Sequence, residues 1–265
     1  MIRYLIVALV FLAILKLVVW RLEPAMMFFP TRGEQETPSS LGIRYEPLRL
    51  QTTDGVTITA WQFEPDRPRA DIVYFHGNGG NLSLWLPVFE TLHSYGYRVL
   101  AIDYRGYGTS EGTPSEHGLS LDAEAAIQHA TRSGKQRPLI FWGRSLGGAV
   151  AALAARAHTP DALVLESTFP DKASVIRSAF LLRALNLFAS YRFDTVTALK
   201  GFRKPVLVVH GDRDTVIPFA LGQELFDRLD APKQFVTVRG ADHNDFFDAQ
   251  HSPYWTPIRA FIDAL

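Results

Sequence analysis

The stretch Pro138-Leu139-Ile140-Phe141-Trp142-Gly143-Arg144-Ser145-Leu146-Gly147-Gly148-Ala149-Val150-Ala151-Ala152 passes from an apolar, strand-like run through a turn of small residues into an Ala-rich helical run. Within it, Gly143-Arg144-Ser145-Leu146-Gly147 has the spacing G-x-S-x-G. Between a strand and a helix this spacing marks a sharp turn that holds the serine in a strained backbone conformation and lifts its hydroxyl above the sheet edge. A Cβ at Gly143 or Gly147 would collide with the neighbouring strand or helix, and the first helical turn offers the Leu146 N–H to a developing oxyanion. The pattern also arises by chance. Ser145 is therefore a candidate nucleophile only if the strand and helix form around it and partners exist elsewhere in the chain.

Composition narrows the classes. The 265 residues are 47% apolar, enough to bury one sizeable core, so a single catalytic domain is expected. Formal net charge is zero and Lys and Arg are scattered, leaving no electrostatic footprint for nucleic acid. The absence of cysteine excludes disulfides, thiolate metal sites and cysteine nucleophiles. None of the eight histidines stands in an H-E-x-x-H or similar metal-ligand spacing, and Gly77, Gly79 and Gly80 lack the lysine and Ser/Thr of a phosphate-binding loop. Neither a metal nor a cofactor is expected.

Tyr4 to Trp20 is apolar on all faces and about as long as the shortest membrane-spanning helices, with Lys16 near one end where it can snorkel. Residues 1–22 are read as a single-pass anchor. No small-x-small cleavage site follows, which disfavours a removed signal peptide, and a buried core helix is the competing structural reading. Arg3 on one side and Arg21 and Arg32 on the other leave the orientation open. Residues 23–40 carry Pro24, Pro30 and Pro38 around Met26-Met27-Phe28-Phe29 and read as a connector. The catalytic domain is expected over 41–265. It opens with a hairpin, Tyr45–Leu50 and Val56–Phe63, around Thr53-Asp54-Gly55. From Asp71 onward, strand-like runs at Ile72–Phe75, Val99–Ile102, Leu139–Trp142, Leu163–Leu165, Val206–Val209 and Phe235–Val238 alternate with helical segments. This alternation predicts an α/β fold with a mostly parallel central sheet, helices on both faces and the ligand site beyond the carboxyl ends of the strands.

A serine hydroxyl needs a histidine to take its proton, and that histidine needs an acid to orient it. Two strand-end segments after Ser145 supply both: His210-Gly211-Asp212-Arg213-Asp214 and Gly240-Ala241-Asp242-His243-Asn244-Asp245. Asp212, beside Gly211, suits a turn. His251 is a rival base but lies away from a strand end. With these segments, His76-Gly77-Asn78-Gly79-Gly80-Asn81, Asp103-Tyr104-Arg105-Gly106-Tyr107-Gly108-Thr109-Ser110-Glu111-Gly112 and the Ser145 turn, the chain resembles the α/β-hydrolase superfamily, in its membrane-anchored ABHD-like and bud-emergence-type group, from about Phe28 to the C-terminus. The resemblance implies the acid at Asp214, the base at His243 and an oxyanion donor at the Asn78 N–H beside that of Leu146. His76 and His210 read as structural. Glu166, at a strand end, reads as a capping or loop-bracing carboxylate, with a pocket residue or a substitute acid as the alternatives.

The expected activity is cleavage of carboxylic esters or thioesters of small acyl substrates, lipid-like ones included. A peptidase on the same three residues and a catalytically silent membrane-bound module are the alternatives. The segment 169–204 is longer than an ordinary strand-to-helix connection and contains the apolar, helix-like run Val175–Ala189. It is expected to form a short helical lid, with Phe180 and Leu181 as substrate-contacting residues or as cover for the core.

Overall fold

Alternation within the strands decides the layers. In the computed structural model, which describes residues 1–132, 134, 137–177, 180–245 and 254–265, the side chains of Phe180 and Leu181 fall outside the described set. The chain starts with helix α1 (Ile2–Met27), whose apolar residues before Glu23 are largely exposed and which is long and apolar enough to cross a membrane. Helix α1 continues past Arg21, with Pro24 inside it. Packing overrides the helix-breaking tendency of that proline: Glu23 is buried in an ion pair with Lys172, and Met27 packs against the core.

Next come the short strand β1 (Phe29–Pro30), the hairpin strands β2 (Tyr45–Gln51) and β3 (Thr57–Phe63), β4 (Ala70–Phe75) and the short β5 (Gly79–Gly80). They are followed by α2 (Leu86–Ser94), β6 (Tyr97–Asp103), α3 (Glu116–Thr131), β7 (Leu139–Arg144), α4 (Leu146–Ala157) and β8 (Ala162–Glu166). Three short helices fill the insertion, α5 (Lys172–Val175), α6 (Phe180–Asn186) and α7 (Thr195–Ala198). Strand β9 (Val206–Gly211), α8 (Phe219–Arg228), β10 (Lys233–Val238) and α9 (Trp255–Asp263) complete the chain. The helix-like run expected from Val175 is not one helix: α5 ends at Val175, where the Ile176 N–H bonds back to the Lys172 carbonyl, and α6 begins at Phe180.

Eight strands form one sheet in the order β10-β9-β8-β7-β4-β6-β3-β2, parallel from β10 to β6 and antiparallel across β3 and β2. Successive side chains of a strand point to opposite faces. Val73 and Phe75 of β4 therefore join one apolar layer with α3, α4 and α8, while Ile72 and Tyr74 join the other with α2 and α9. Both faces of the parallel strands are covered, which is why those segments read as continuous apolar runs. The carboxyl ends of β4, β6, β7, β8, β9 and β10 lie at one edge and carry the polar motifs.

Arg105, just beyond β6, binds the hairpin turn to this frame. Its guanidinium donates to both carboxylate oxygens of Asp54 at 2.8 and 3.1 Å, and its Nε donates to Asp122 of α3 at 2.9 Å. Burial pushes the Asp122 carboxyl up to about 6, against the opposing hydrogen bonds from Arg105, so Asp122 is ionised at neutral pH. Asp122→Ala leaves the guanidinium with half its partners. It should cost about 3 kcal/mol, read as a lower urea midpoint at unchanged slope.

Candidate active site

The turn between β7 and α4 puts Ser145 at φ 52°, ψ −119°, a left-handed conformation that a residue with a Cβ holds only when its surroundings enforce it. The surroundings do. The Ser145 N–H donates to the Glu166 carbonyl at 2.8 Å, and the Ser145 carbonyl accepts from Thr168 Oγ1 at 2.7 Å. A Cβ at Gly143 would strike the Gly147 carbonyl, and one at Gly147 would strike that of Phe75. Glycine at both positions is thus a packing requirement of the turn.

Beneath the turn lies a buried network. Arg144, 1% exposed, is ion-paired through Nη1 to Glu166 at the end of β8, and its Nη2 donates to the His243 carbonyl. Its guanidinium lies 5.4 Å above the Trp85 ring. Trp142 Nε1 donates to the other Glu166 oxygen at 3.0 Å. Glu166 therefore braces the turn, as the loop-bracing reading of the sequence had it. Arg144, the variable position of G-x-S-x-G, was not singled out by the sequence. Only its place between Gly143 and Ser145, inside an apolar strand end, could have flagged it.

The loops after β9 and β10 bring Asp214 and His243 together because these strands are parallel neighbours. Asp214 Oδ2 accepts from His243 Nδ1–H at 2.7 Å. Its Oδ1 accepts the Val216 and Ile217 N–H groups at 3.0 and 2.7 Å. Burial opposes its charge, but hydrogen bonds from His210 and His243 outweigh this and hold the carboxyl well below the usual carboxylate range. His210 Nε2–H donates to the Ile217 carbonyl at 2.8 Å and lies 3.3 Å from Asp214, so it steadies the acid loop. Asp242 ties the two loops together, accepting from the Thr215 N–H at 2.7 Å and the His243 N–H at 2.6 Å. Asp212, the rival acid, accepts from the Gly240 N–H at 2.6 Å and braces a turn. His251, the rival base, lies outside the described residues.

Across from His243, the loop after β4 carries Asn78. Tyr107 Oη donates to the Asn78 carbonyl at 2.8 Å and lies 3.0 Å from its side-chain oxygen. His76 is fully buried; its Nδ1–H donates to the Gly77 carbonyl at 2.6 Å, and its own carbonyl accepts from Tyr104 Oη at 2.9 Å. β1 pairs in parallel with β5 on this loop, so the segment read as a connector is part of the site. Ser145, His243, Asn78 and Leu146 all line one cavity of about 430 Å³. Its remaining wall is largely apolar and includes Met26 and Met27 from the end of α1, Phe29 of β1, and Val175 and Ile176. Sequence reasoning missed the contribution of α1, whose last turn is separated in sequence from every motif. The side chains of Phe180 and Leu181 lie outside the described residues.

The Arg144–Glu166 pair is testable apart from chemistry. Glu166→Gln leaves a buried guanidinium without its counter-charge, so a loss of about 3 kcal/mol in unfolding free energy is expected, together with slower labelling of Ser145 by a fluorophosphonate as the His243 loop loosens.

A family model described as serine aminopeptidase, S33, matches residues 66–193, a span that contains Ser145 but neither Asp214 nor His243. Protein bem46 of Schizosaccharomyces pombe is 32% identical over 228 residues, covering 81% of this chain and 76% of its own. Lysophosphatidylserine lipase ABHD12 of Danio rerio is 36% identical over 176 residues, covering 59% of this chain and 46% of that protein. Among solved structures, the Pyrococcus furiosus esterase Pf2001 superposes with a TM-score of 0.71 at 21% identity, covering 89% of this chain and 98% of its own, a likeness of fold. Identity at the level of bem46 over that share of both chains reflects common descent, and the chain belongs to the α/β-hydrolase superfamily as a hydrolytic enzyme, in the group that includes bem46.

Proposed function

We propose that the protein is a membrane-anchored serine hydrolase that cleaves ester or thioester bonds of acyl substrates. The observation that carries this reading is one largely apolar cavity holding both Ser145 and His243, with His243 oriented by Asp214 at 2.7 Å. Ser145 Oγ attacks the acyl carbon while His243 Nε2 takes its proton, and Asp214, accepting from Nδ1–H, stabilises the imidazolium. The N–H groups of Asn78 and Leu146 hold the oxyanion. His243 then protonates the departing alcohol or thiol. Water, deprotonated by the same nitrogen, attacks the acyl-enzyme and releases the acid.

Peptide cleavage is the second reading, favoured by the description of the matching family model. An aminopeptidase must pair the substrate ammonium with an acid, because an unpaired buried charge is costly. Among the described residues no Asp or Glu lines the cavity, which favours an acyl chain over a substrate ammonium. The exposed apolar surface of α1 supports membrane residence. At about 25 cal/mol per Å² of apolar surface, a bare helix of this kind in water is strongly disfavoured. The name of ABHD12, a lysophosphatidylserine lipase, agrees with a lipid-like substrate.

Ser145→Ala and His243→Ala are expected to lower hydrolysis of a short p-nitrophenyl ester by about 10,000-fold or more without changing the melting temperature downward. Asp214→Asn should cost about 1,000-fold or more, and do so at every pH from about 5 upward because the native carboxyl stays ionised there. Asp212→Asn should stay within about threefold. An Asp212→Asn loss larger than that of Asp214→Asn would reassign the acid. For location, carbonate washing should leave the full chain in the membrane pellet and release a form lacking residues 1–21.

A further inference from the structure

A second cavity of about 330 Å³ lies along the first helix. Leu15, Val18, Val19 and Leu22 of α1 form one side, and Leu182 and Leu185 of α6 form the other. Met26, Met27, Lys172 and Ile176 belong to the walls of both this groove and the Ser145 cavity, so the two abut across these four side chains. Resting on the proposed acyl hydrolysis, we propose that this groove binds the acyl chain of a membrane lipid, which enters from the bilayer alongside α1 and places its ester at Ser145.

The junction is built to hold such a groove in place. Lys172 Nζ donates to Glu23 Oε1 at 2.6 Å, and the same carboxylate accepts the Ser190 N–H at 2.7 Å and the Tyr191 N–H at 3.0 Å. These contacts clamp the end of α1 to the loop after α6. Phe28 adds ring contacts with Tyr191 at 5.7 Å and Phe193 at 6.2 Å. A chain crossing the junction meets a paired, hydrogen-bonded carboxylate and ammonium instead of a bare charge. Both groups are buried, at 5% and 7% exposure, so their hydration is already lost before a ligand arrives.

The length of the groove fits an acyl chain. From Met26 back to Leu15 the helix rises about 16 Å at about 1.5 Å per residue. An extended chain advancing roughly 1.2 Å per bond covers that distance with about a dozen methylenes. The segment of α1 that lines the groove is also the segment long and apolar enough to sit in a bilayer, so its open side faces acyl chains.

The test uses the full chain in phosphatidylcholine nanodiscs. A 16-carbon alkyl fluorophosphonate with a terminal diazirine is attached at Ser145 and illuminated, and the crosslinked residues are mapped by mass spectrometry. Crosslinks between Leu15 and Leu22 or at Leu182 and Leu185 are expected. Separately, Val18→Trp and Leu22→Trp should lower the ratio of kcat/KM for 16-carbon over 4-carbon esters by about tenfold, whereas Val7→Trp, which lines neither cavity, should not change it. Melting temperatures check folding, and the crosslink needs no variant. If Ser145 is labelled but the chain end crosslinks near Leu84, or to lipid alone, the groove assignment is overturned while the hydrolase reading stands. Crosslinking of α1 to a second copy of the chain would replace the lipid with a partner helix and overturn it too. If Ser145 is not labelled at all, the hydrolase reading fails and the groove assignment falls with it.

Discussion

The Arg144–Glu166 pair under the turn that carries Ser145 is the contact on which the site depends. Burying two charges is expensive, and an apolar pair of equal volume would serve stability as well or better. What the pair supplies is position. Glu166 ends β8, and its carbonyl accepts the N–H of Ser145. Arg144 immediately precedes Ser145 and donates to the carbonyl of His243. One ion pair thus links the strand that ends at the serine, the strand beside it and the loop that carries the histidine. Trp142, donating to the same carboxylate, fixes its orientation.

Around this link, separate parts of the site are held by backbone groups more than by side-chain pairs. Asp214 accepts two backbone N–H groups besides His243, and Asp242 accepts one from each of the two loops it joins. Preorganisation of this kind places charge where a reaction would need it before substrate arrives, so little reorganisation is required later. The loop holding Asn78 is steadied in the same way, by Tyr107 and by pairing with β1.

That pairing also joins the apolar helix to the chemistry. Helix α1 runs directly into β1, and β1 lies on the Asn78 loop. Glu23 fastens the helix end to Lys172 and the loop after α6. The helix is therefore a wall of the cavity as well as a candidate anchor, and a shift of its last turn would move Met26 and Met27.

The sequence by itself determined the layers and the locus of the site. Apolar runs of strand length alternating with helical segments specify a covered parallel sheet, and that sheet sends each polar motif to one edge, where Ser145 stands out by its G-x-S-x-G turn, whereas Asp214, His243 and Asn78 were singled out through the resemblance to α/β-hydrolases. Gly143 and Gly147 were legible for the same reason: their demand is local and steric. What only the tertiary structure decided lies in contacts between residues far apart in the chain. Arg144 with the His243 carbonyl, Glu23 with Lys172, and the groove shared by α1 and α6 join segments that carry no common period or spacing. Such pairings depend on how whole elements dock, and docking is set by the summed shape and burial of many side chains, a property that no short stretch of sequence contains.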